Sequence, residues 1–550
     1  MPRVSMLGQG LRSSTPYITA KLAVNCYAET RPQGEKSTII ALGRPGRDLF
    51  TSFGDTPPRG GWWIQTGVLA YVVHRGVLWS VDNSGTKVNL GMLNTTSGRV
   101  SMSDNGVQLM IVDGTYGYIY STIAIPGGAT PQTISSITYT GGTATLTTAA
   151  PHNLVSGNIV SLAGQTPAAY VGNYTITVTG ASTFTFEMDV DPGGSASPVG
   201  TYTITQFAQV TSPAFPANPC TVTFLAESFA IQSQDTRRFY ASALADGLNG
   251  YALNFASAED HPDPMNAIWT SNGQLFLMCT AHCEFWGVSG GLDFLYSEVQ
   301  GTTSEWGLAA RFGVARFGNT IACLMRNRLN QVMIAEIAGY LPQPLSNPDL
   351  DKIINGYANV ADASFYSFML GGHPMLICNF PSANATWGYD GSTKIWSPWK
   401  SFGLLRDLGE FGFEFLSDTI IADYANGNLY RLNPESVTDN GNPIEIQLTG
   451  ETVRASDGDR FTVNRFRIDI AVGEGNAVDP GSNPQIGLEV SRDNGQTWGA
   501  QMLRPLGKVG EYKDVVEWDM LGTTRAFTPR LSMSDPVKFA LISASINPAD

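Results

Sequence analysis

Charge is what this chain lacks most. Asp, Glu, Lys and Arg make up 15% of its 550 residues, against roughly one quarter in an ordinary soluble domain. Much of the surface is then left to Ser, Thr, Asn and Gly, which suits a chain largely covered by partners. Positive charge is scarcer still: 33 Lys and Arg stand against 47 Asp and Glu, a formal net charge of −14. Affinity for nucleic acid comes from cations that neutralise phosphates, so this balance speaks against a protein that grips DNA. The six cysteines, Cys26, Cys220, Cys279, Cys283, Cys323 and Cys378, are scattered. They predict reduced, buried thiols made in a cytoplasm rather than a disulfide framework. No run of 18 apolar residues occurs, so no membrane-spanning helix is expected. The opening MPRVSMLGQGLRSS lacks the apolar stretch of a signal peptide.

Signatures of catalysis are equally thin. There is no phosphate-binding loop ending in Gly-Lys-Ser or Gly-Lys-Thr. The five histidines have no obvious Ser or Cys partner, and His261 and His373 precede prolines, which favours loop roles. Glycoside hydrolysis needs a positioned carboxylate pair. Asp48, Glu259, Asp260, Glu284, Asp293 and Glu305 are available, but spacing selects no pair among them. Cys279-Thr280-Ala281-His282-Cys283 invites a zinc reading. A structural zinc takes four ligands, however, and Cys323 and Cys378 are single and distant. The apolar Gln274-Leu275-Phe276-Leu277-Met278 before it makes Cys279 a core residue. Arg237-Arg238, followed by Phe239-Tyr240, and Arg465 with Arg467 are the nearest approach to basic clusters; ion pairs or interface contacts account for them. No catalytic, cofactor-binding or metal-ligating residue is expected, and no cofactor.

What the chain does have is strands and turns. Val68–Val73 and Gln108–Val112 are short apolar runs, and Tyr174–Val178 and Phe466–Ile470 alternate with period two. The 59 glycines and 31 prolines mostly punctuate such runs. One helix is predicted: Asn347 caps it, Pro348 takes its first position, Asp349 and Asp351 fill its first turn, and Gly356 ends it. A strand showing aromatic residues and ending in a turn recurs at Gly76–Asp82, Gly117–Tyr120, Ala385–Asp390 and Gly427–Asn433, as propeller blades do. From residue 130 to 210 there is no Lys or Arg, against seventeen threonines. That shift marks a β module inserted into the main body. Its stretch His152–Val160, with Gly172–Thr175 after it, resembles a small β-domain common in phage structural proteins.

The sharpest motif is Ser491-Arg492-Asp493-Asn494-Gly495-Gln496-Thr497-Trp498. It has the Asp-box pattern found in propellers of sialidases and other glycosidases. Ser491 and Asp493 can accept backbone N–H bonds, Gly495 can supply positive φ, Thr497 follows the turn, and Trp498 can pack beneath it. One copy is present, so the box reads as a structural hairpin, not a sign of catalysis.

The expected architecture is all-β: a β-propeller-like body, an inserted small β module and a C-terminal β-sandwich-like unit. The boundaries read as 1–131 for the N-terminal segment and first propeller strands, 132–206 for the module, 207–445 for the rest of the propeller and 446–550 for the C-terminal unit.

Several stretches together resemble the packaged-DNA stabilisation proteins, also called tail hub or nozzle proteins, of short-tailed bacteriophages. They are Val24–Glu29, Gly43–Phe50, Arg238–Ser242, Leu253–Glu259, Asp263–Met265, His373-Pro374 and Thr386–Asp390 with Trp396. Arg465–Arg467, the Asp-box hairpin, Gly507–Tyr512 and Trp518 continue the order to the end. The 132–206 module departs from the shared core. The resemblance implies a virion protein, assembled in the host cytoplasm. It implies a homohexameric ring that extends the DNA channel below the head-to-tail adaptor. Such a ring retains packaged double-stranded DNA without specific binding and docks tail fibres, spikes or a plug. A propeller glycosidase acting on surface polysaccharide and a receptor-binding tail protein are the alternatives.

Overall fold

The computed structural model describes residues 3–8, 21–31, 39–122 and 131–547, apart from 153, 155, 157, 189, 292, 293, 456, 457, 513 and 514. Asp293 and three positions of the 152–160 stretch therefore lie outside the described residues. The all-β expectation holds. Among the described residues one α-helix occurs, Pro348–Asn355, where the sequence places it. Asn347 Oδ1 accepts the Leu350 N–H at 2.9 Å, satisfying one of the donors a helix start leaves free.

Among the described residues seven blade units of a propeller follow one another along the chain: four are four-stranded antiparallel sheets, and the second, fifth and seventh belong to ten-, five- and six-stranded sheets. The first four lie in the compact unit formed by residues 53–308 with 413–417. They begin with Pro58–Trp63, Ser101–Asp104, Pro219–Leu225 and Met265–Ser271. Consecutive sheets are held face to face by shared apolar cores. Tyr71, Val73 and Leu78 of the first meet Leu109, Ile111 and Tyr118 of the second. Phe239 and Ala241 of the third meet Ile268, Leu275 and Leu277 of the fourth. Burial of this kind is worth about 1.5–3 kcal/mol per large side chain, which is what keeps blades together.

The other compact unit holds the remaining three blades and the C-terminal region. Its fifth and sixth blades share a core that the helix closes with Leu350 and Ile354. The outer strand of the seventh blade comes from the far end of the chain: Gly46–Ser52 pairs with Asn428–Asn433. The four aromatic repeats of the sequence fall on equivalent places. Val77–Val81, Gly117–Ser121, Ala385–Asp390 and Asn428–Asn433 are each the third strand of their sheet. In one of them Gly388 has to be glycine, because a Cβ there would sit 2.4 Å from the Trp399 indole nitrogen.

The inserted module grows out of the second blade. Its last strand, Thr201–Gln209, pairs with module strands Gln132–Thr140 and Asn158–Ala163, then with the blade strand Gly117–Ser121. Tyr202 lies in the module's core and Phe207 in the blade core, so one strand serves both. The predicted strand Tyr174–Val178 is broken at Ile176. Residues Gly172–Thr175 pair with Asn158–Ala163, whereas Thr177–Gly180 pairs with Thr183–Glu187. Ile176 is buried at the corner, and its N–H is taken by the Asn158 carbonyl.

Beyond the propeller lies a sandwich of two five-stranded sheets. One contains Ile446–Thr449, Gln485–Ser491, Met502–Pro505 and Thr528–Met533; the other contains Phe461–Ile470, Val516–Thr524 and Ala540–Ile546. Phe466, Trp518, Leu488 and Leu531 fill the core between them. The sheets are completed from the N-terminal side: Leu22–Val24 joins the first, and Cys26–Thr30 with Ile39–Gly43 joins the second. Asn25, at φ 56°, is the residue at which the chain changes sheet.

Candidate functional site

The most heavily built polar site lies where the strand Gly46–Ser52 leaves the sandwich for the seventh blade. Arg44 and Arg47 flank Pro45-Gly46 and reach two buried carboxylates. Arg44 holds Asp439 with both terminal nitrogens, at 3.0 and 2.5 Å. Arg47 Nε donates to Asp439 at 3.1 Å, and its guanidinium also pairs closely with Asp407. Every one of these side chains is 2% exposed or less. Although burial alone would raise the Asp439 pKa, the two guanidinium charges hold it well below the ordinary carboxylate value. Arg44 also stands over the Trp399 ring, 5.4 Å from its centroid. Asn25 completes the node: it accepts from Arg44 Nε and the Lys400 N–H and donates to the Lys400 and Glu445 carbonyls. Gly46 is required because a Cβ would meet the Thr438 carbonyl at 2.3 Å.

The Asp-box residues form a saturated turn at the end of strand Gln485–Ser491. Asp493 Oδ1 accepts the Gln496 and Thr497 N–H groups and the Ser491 hydroxyl, while Oδ2 accepts the Thr497 hydroxyl at 2.5 Å. These bonds, led by those from Thr497, bring the Asp493 pKa down to about 2. Ser491 Oγ accepts the Gly495 N–H at 2.8 Å. Both Asn494 and Gly495 have positive φ. Trp498 is half-buried beneath the Arg530 guanidinium, 3.9 Å from its ring centroid.

A third cluster gathers residues the sequence left apart. Asp263, Cys279 and His282 lie together at the start of the fourth blade. His282 Nδ1 is 2.5 Å from Asp263 Oδ1, and Nε2 is 3.2 Å from Glu284 Oε1. Burial alone would lower the His282 pKa, but the Glu284 hydrogen bond and the Asp263 charge outweigh it and leave it raised. Glu284 also accepts the Asp260 N–H and the Trp286 indole N–H, so the one fully buried carboxylate among the described candidates has both oxygens occupied. Glu305 approaches His261 at 3.3 Å, and Asp260 accepts from Thr303. Asp48 accepts from Asn433, on the strand beside its own in the seventh blade. Glu259 is exposed. A hydrolytic acid must be free to meet its substrate, and Glu284 is not.

Arg238, Arg465 and Arg467 are on strands, and Arg237 is in the bend before the first of them. Arg238 stacks on Phe255 at 5.1 Å, and Arg465 pairs with Asp519 at 3.0 Å. Arg237 and Arg467 are exposed. All six cysteines are buried, and none is in a disulfide among the described residues. Sequence reasoning passed over the Arg44–Arg47–Asp407–Asp439 node. Two arginines around Pro-Gly at the edge of a strand were the visible half of it. The carboxylates lie 360 to 395 residues away and carry no local mark.

A family model described as bacteriophage P22 Gp10, beta-propeller, matches residues 5–437, and a second, described as bacteriophage P22 Gp10, beta-sandwich, matches residues 445–548. No curated protein matches the chain. Among solved structures, the computationally designed Ika8 protein aligns at 8% identity and a TM-score of 0.32, covering 70% of this chain and all of its own. The phage phi92 endosialidase aligns at 14% identity and a TM-score of 0.29, covering 74% of this chain and 72% of its own.

Proposed function

The chain belongs to the family of bacteriophage P22 Gp10, a structural tail protein of short-tailed phages, and from that premise we propose that its copies form a ring in the phage tail. The ring, of six subunits, stacks below the head-to-tail adaptor, extends the DNA channel, retains the packaged genome and offers docking surfaces for fibres, spikes or a plug. The single observation that carries this reading is the family match over both the propeller and the sandwich. Two features of the chain support it. A net charge of −14 suits a wall past which phosphates slide. The buried Arg–Asp node suits a joint that must not flex between the seventh blade and the sandwich strands that share it.

The test is electron microscopy of the purified chain mixed with the phage's head-to-tail adaptor. The expected particle is a ring stacked on the adaptor with a central hole at least as wide as duplex DNA. A monomer indifferent to the adaptor overturns the ring.

A further inference from the structure

The hairpin joining Gln274–Cys279 to Cys283–Val288 sets a thiol and an imidazole side by side. The Cys279 N–H donates to the His282 carbonyl at 2.9 Å, so these two residues close a loop made of Thr280 and Ala281. Residues directly opposite in an antiparallel pair project to the same face. Asp263, two residues ahead of strand Met265–Ser271, reaches the same point. Its Oδ2 is held by the Ala281 N–H at 2.6 Å and the Thr280 hydroxyl at 3.1 Å, which turns Oδ1 towards His282. One ligand atom from each of Asp263, Cys279 and His282 lies within 4.8 Å of the others.

We propose that Asp263, Cys279 and His282 form a zinc site, with solvent as the fourth ligand. Three observations carry this beyond proximity. The donors are one sulfur, one nitrogen and one oxygen, a mixture that suits a borderline-soft ion such as zinc. The far side of the histidine is already supported: Nε2 faces Glu284 Oε1 at 3.2 Å, as carboxylates stand behind metal-bound imidazoles. Cys279 is fully buried, and its sulfur has no hydrogen-bond partner among the described residues, so nothing else in the site occupies it. The Asp263 side chain is 19% exposed, which leaves a way in for an ion and a place for water. Zinc–ligand bonds of about 2.0–2.3 Å separate neighbouring ligands by roughly 3.3–3.8 Å, so Nδ1 and Oδ1 open by about 1 Å on binding. The expected absence of a metal rested on the search for a second cysteine knuckle; the third ligand is instead a carboxylate sixteen residues before Cys279. The ion would clamp the loop to the segment leading into the fourth blade.

The test uses the full chain. Protein made in zinc-supplemented medium and desalted is expected to carry about one zinc per chain by mass spectrometry. After chelator stripping, cobalt(II) is expected to give tetrahedral visible bands and a thiolate-to-cobalt charge-transfer band. That band is lost in Cys279→Ser, and in Glu284→Gln the affinity falls roughly ten- to a hundredfold with the band retained. Circular dichroism establishes that each variant is folded. Folded wild-type protein that binds no cobalt, or whose cobalt spectrum is unchanged in Cys279→Ser, overturns the site. The trio is then a hydrogen-bonded Asp263–His282 pair beside a structural thiol, and the tail-ring reading is untouched.

Discussion

At the scale of single residues, the Arg44, Arg47, Asp407 and Asp439 node sets two cations against two anions in a space closed to water. Buried charges are costly to desolvate, and their mutual attraction offsets that cost only when each finds its partner. Removing one member leaves an uncompensated charge, so Asp439→Ala is expected to destabilise its unit by about 3–5 kcal/mol, read as a lowered urea midpoint. An unchanged midpoint would show that the pairs contribute nothing. Acid probes the same node. The Asp439 pKa is depressed on folding, so its contribution is complete above the unfolded carboxylate range near pH 4 and is lost as pH falls through the lower folded value. Wild-type stability should therefore fall more steeply than that of Asp439→Ala as pH drops below about 4. The arginines were visible in the sequence as part of Gly43–Phe50. Their partners were not, because a contact across more than 350 residues leaves no local pattern.

Elements were more legible, for reasons that differ from one to the next. The helix could be read because its start is chemical: an Asn cap, a proline and two acids within five residues, followed by glycine. Phe466–Ile470 could be read because one face is core and the other solvent, so burial alternates residue by residue. Tyr174–Val178 was misread as one strand because period two persists through a corner. Alternation records which residues are buried, not which neighbour each half pairs with. The hydrogen bonds of the Asp box are local, because its donors and acceptors lie within eight residues. The inserted module stood out by composition, yet its attachment was invisible, since one strand belongs to two cores. That strand makes a prediction. In the register Tyr120 faces Phe207, so a short Asn-Gly turn replacing residues 122–205 can join the two as a hairpin. This variant is expected to fold with the second blade intact, whereas deletion through Gln209 removes the blade's fourth strand and should leave an aggregating chain. Size-exclusion chromatography and limited proteolysis separate the two results. If both deletions fold equally well, the strand is not shared in the way its pairing implies. In phage particles, the hairpin variant also separates roles: lost adsorption with intact particles would make the module adhesive, and leaky particles would make it structural.

For the whole molecule, the decisive quantity is the number of cations left over for a polyanion. The chain has 33 Lys and Arg to set against 47 Asp and Glu, and some of the 33 are already committed. Arg44 and Arg47 are buried in their node, and Arg406, Arg431, Arg465 and Arg530 are paired with Glu410, Asp418, Asp519 and Glu489. Residues 130–210 supply none. Binding to duplex DNA gains its free energy from counterions released as cations meet phosphates, with a salt slope of about −0.9 for each phosphate neutralised. A surface on which carboxylates outnumber cations gains little from such contacts and adds repulsion. The purified chain should therefore bind duplex DNA weakly even at low salt, with a shallow dependence of log affinity on log salt concentration, measured by fluorescence anisotropy. Alanine at both Arg237 and Arg238 should leave that weak binding unchanged. A submicromolar complex with a steep salt slope would reveal a basic surface that the charge count hides, and the picture of a wall past which DNA slides would have to give way to one that holds it.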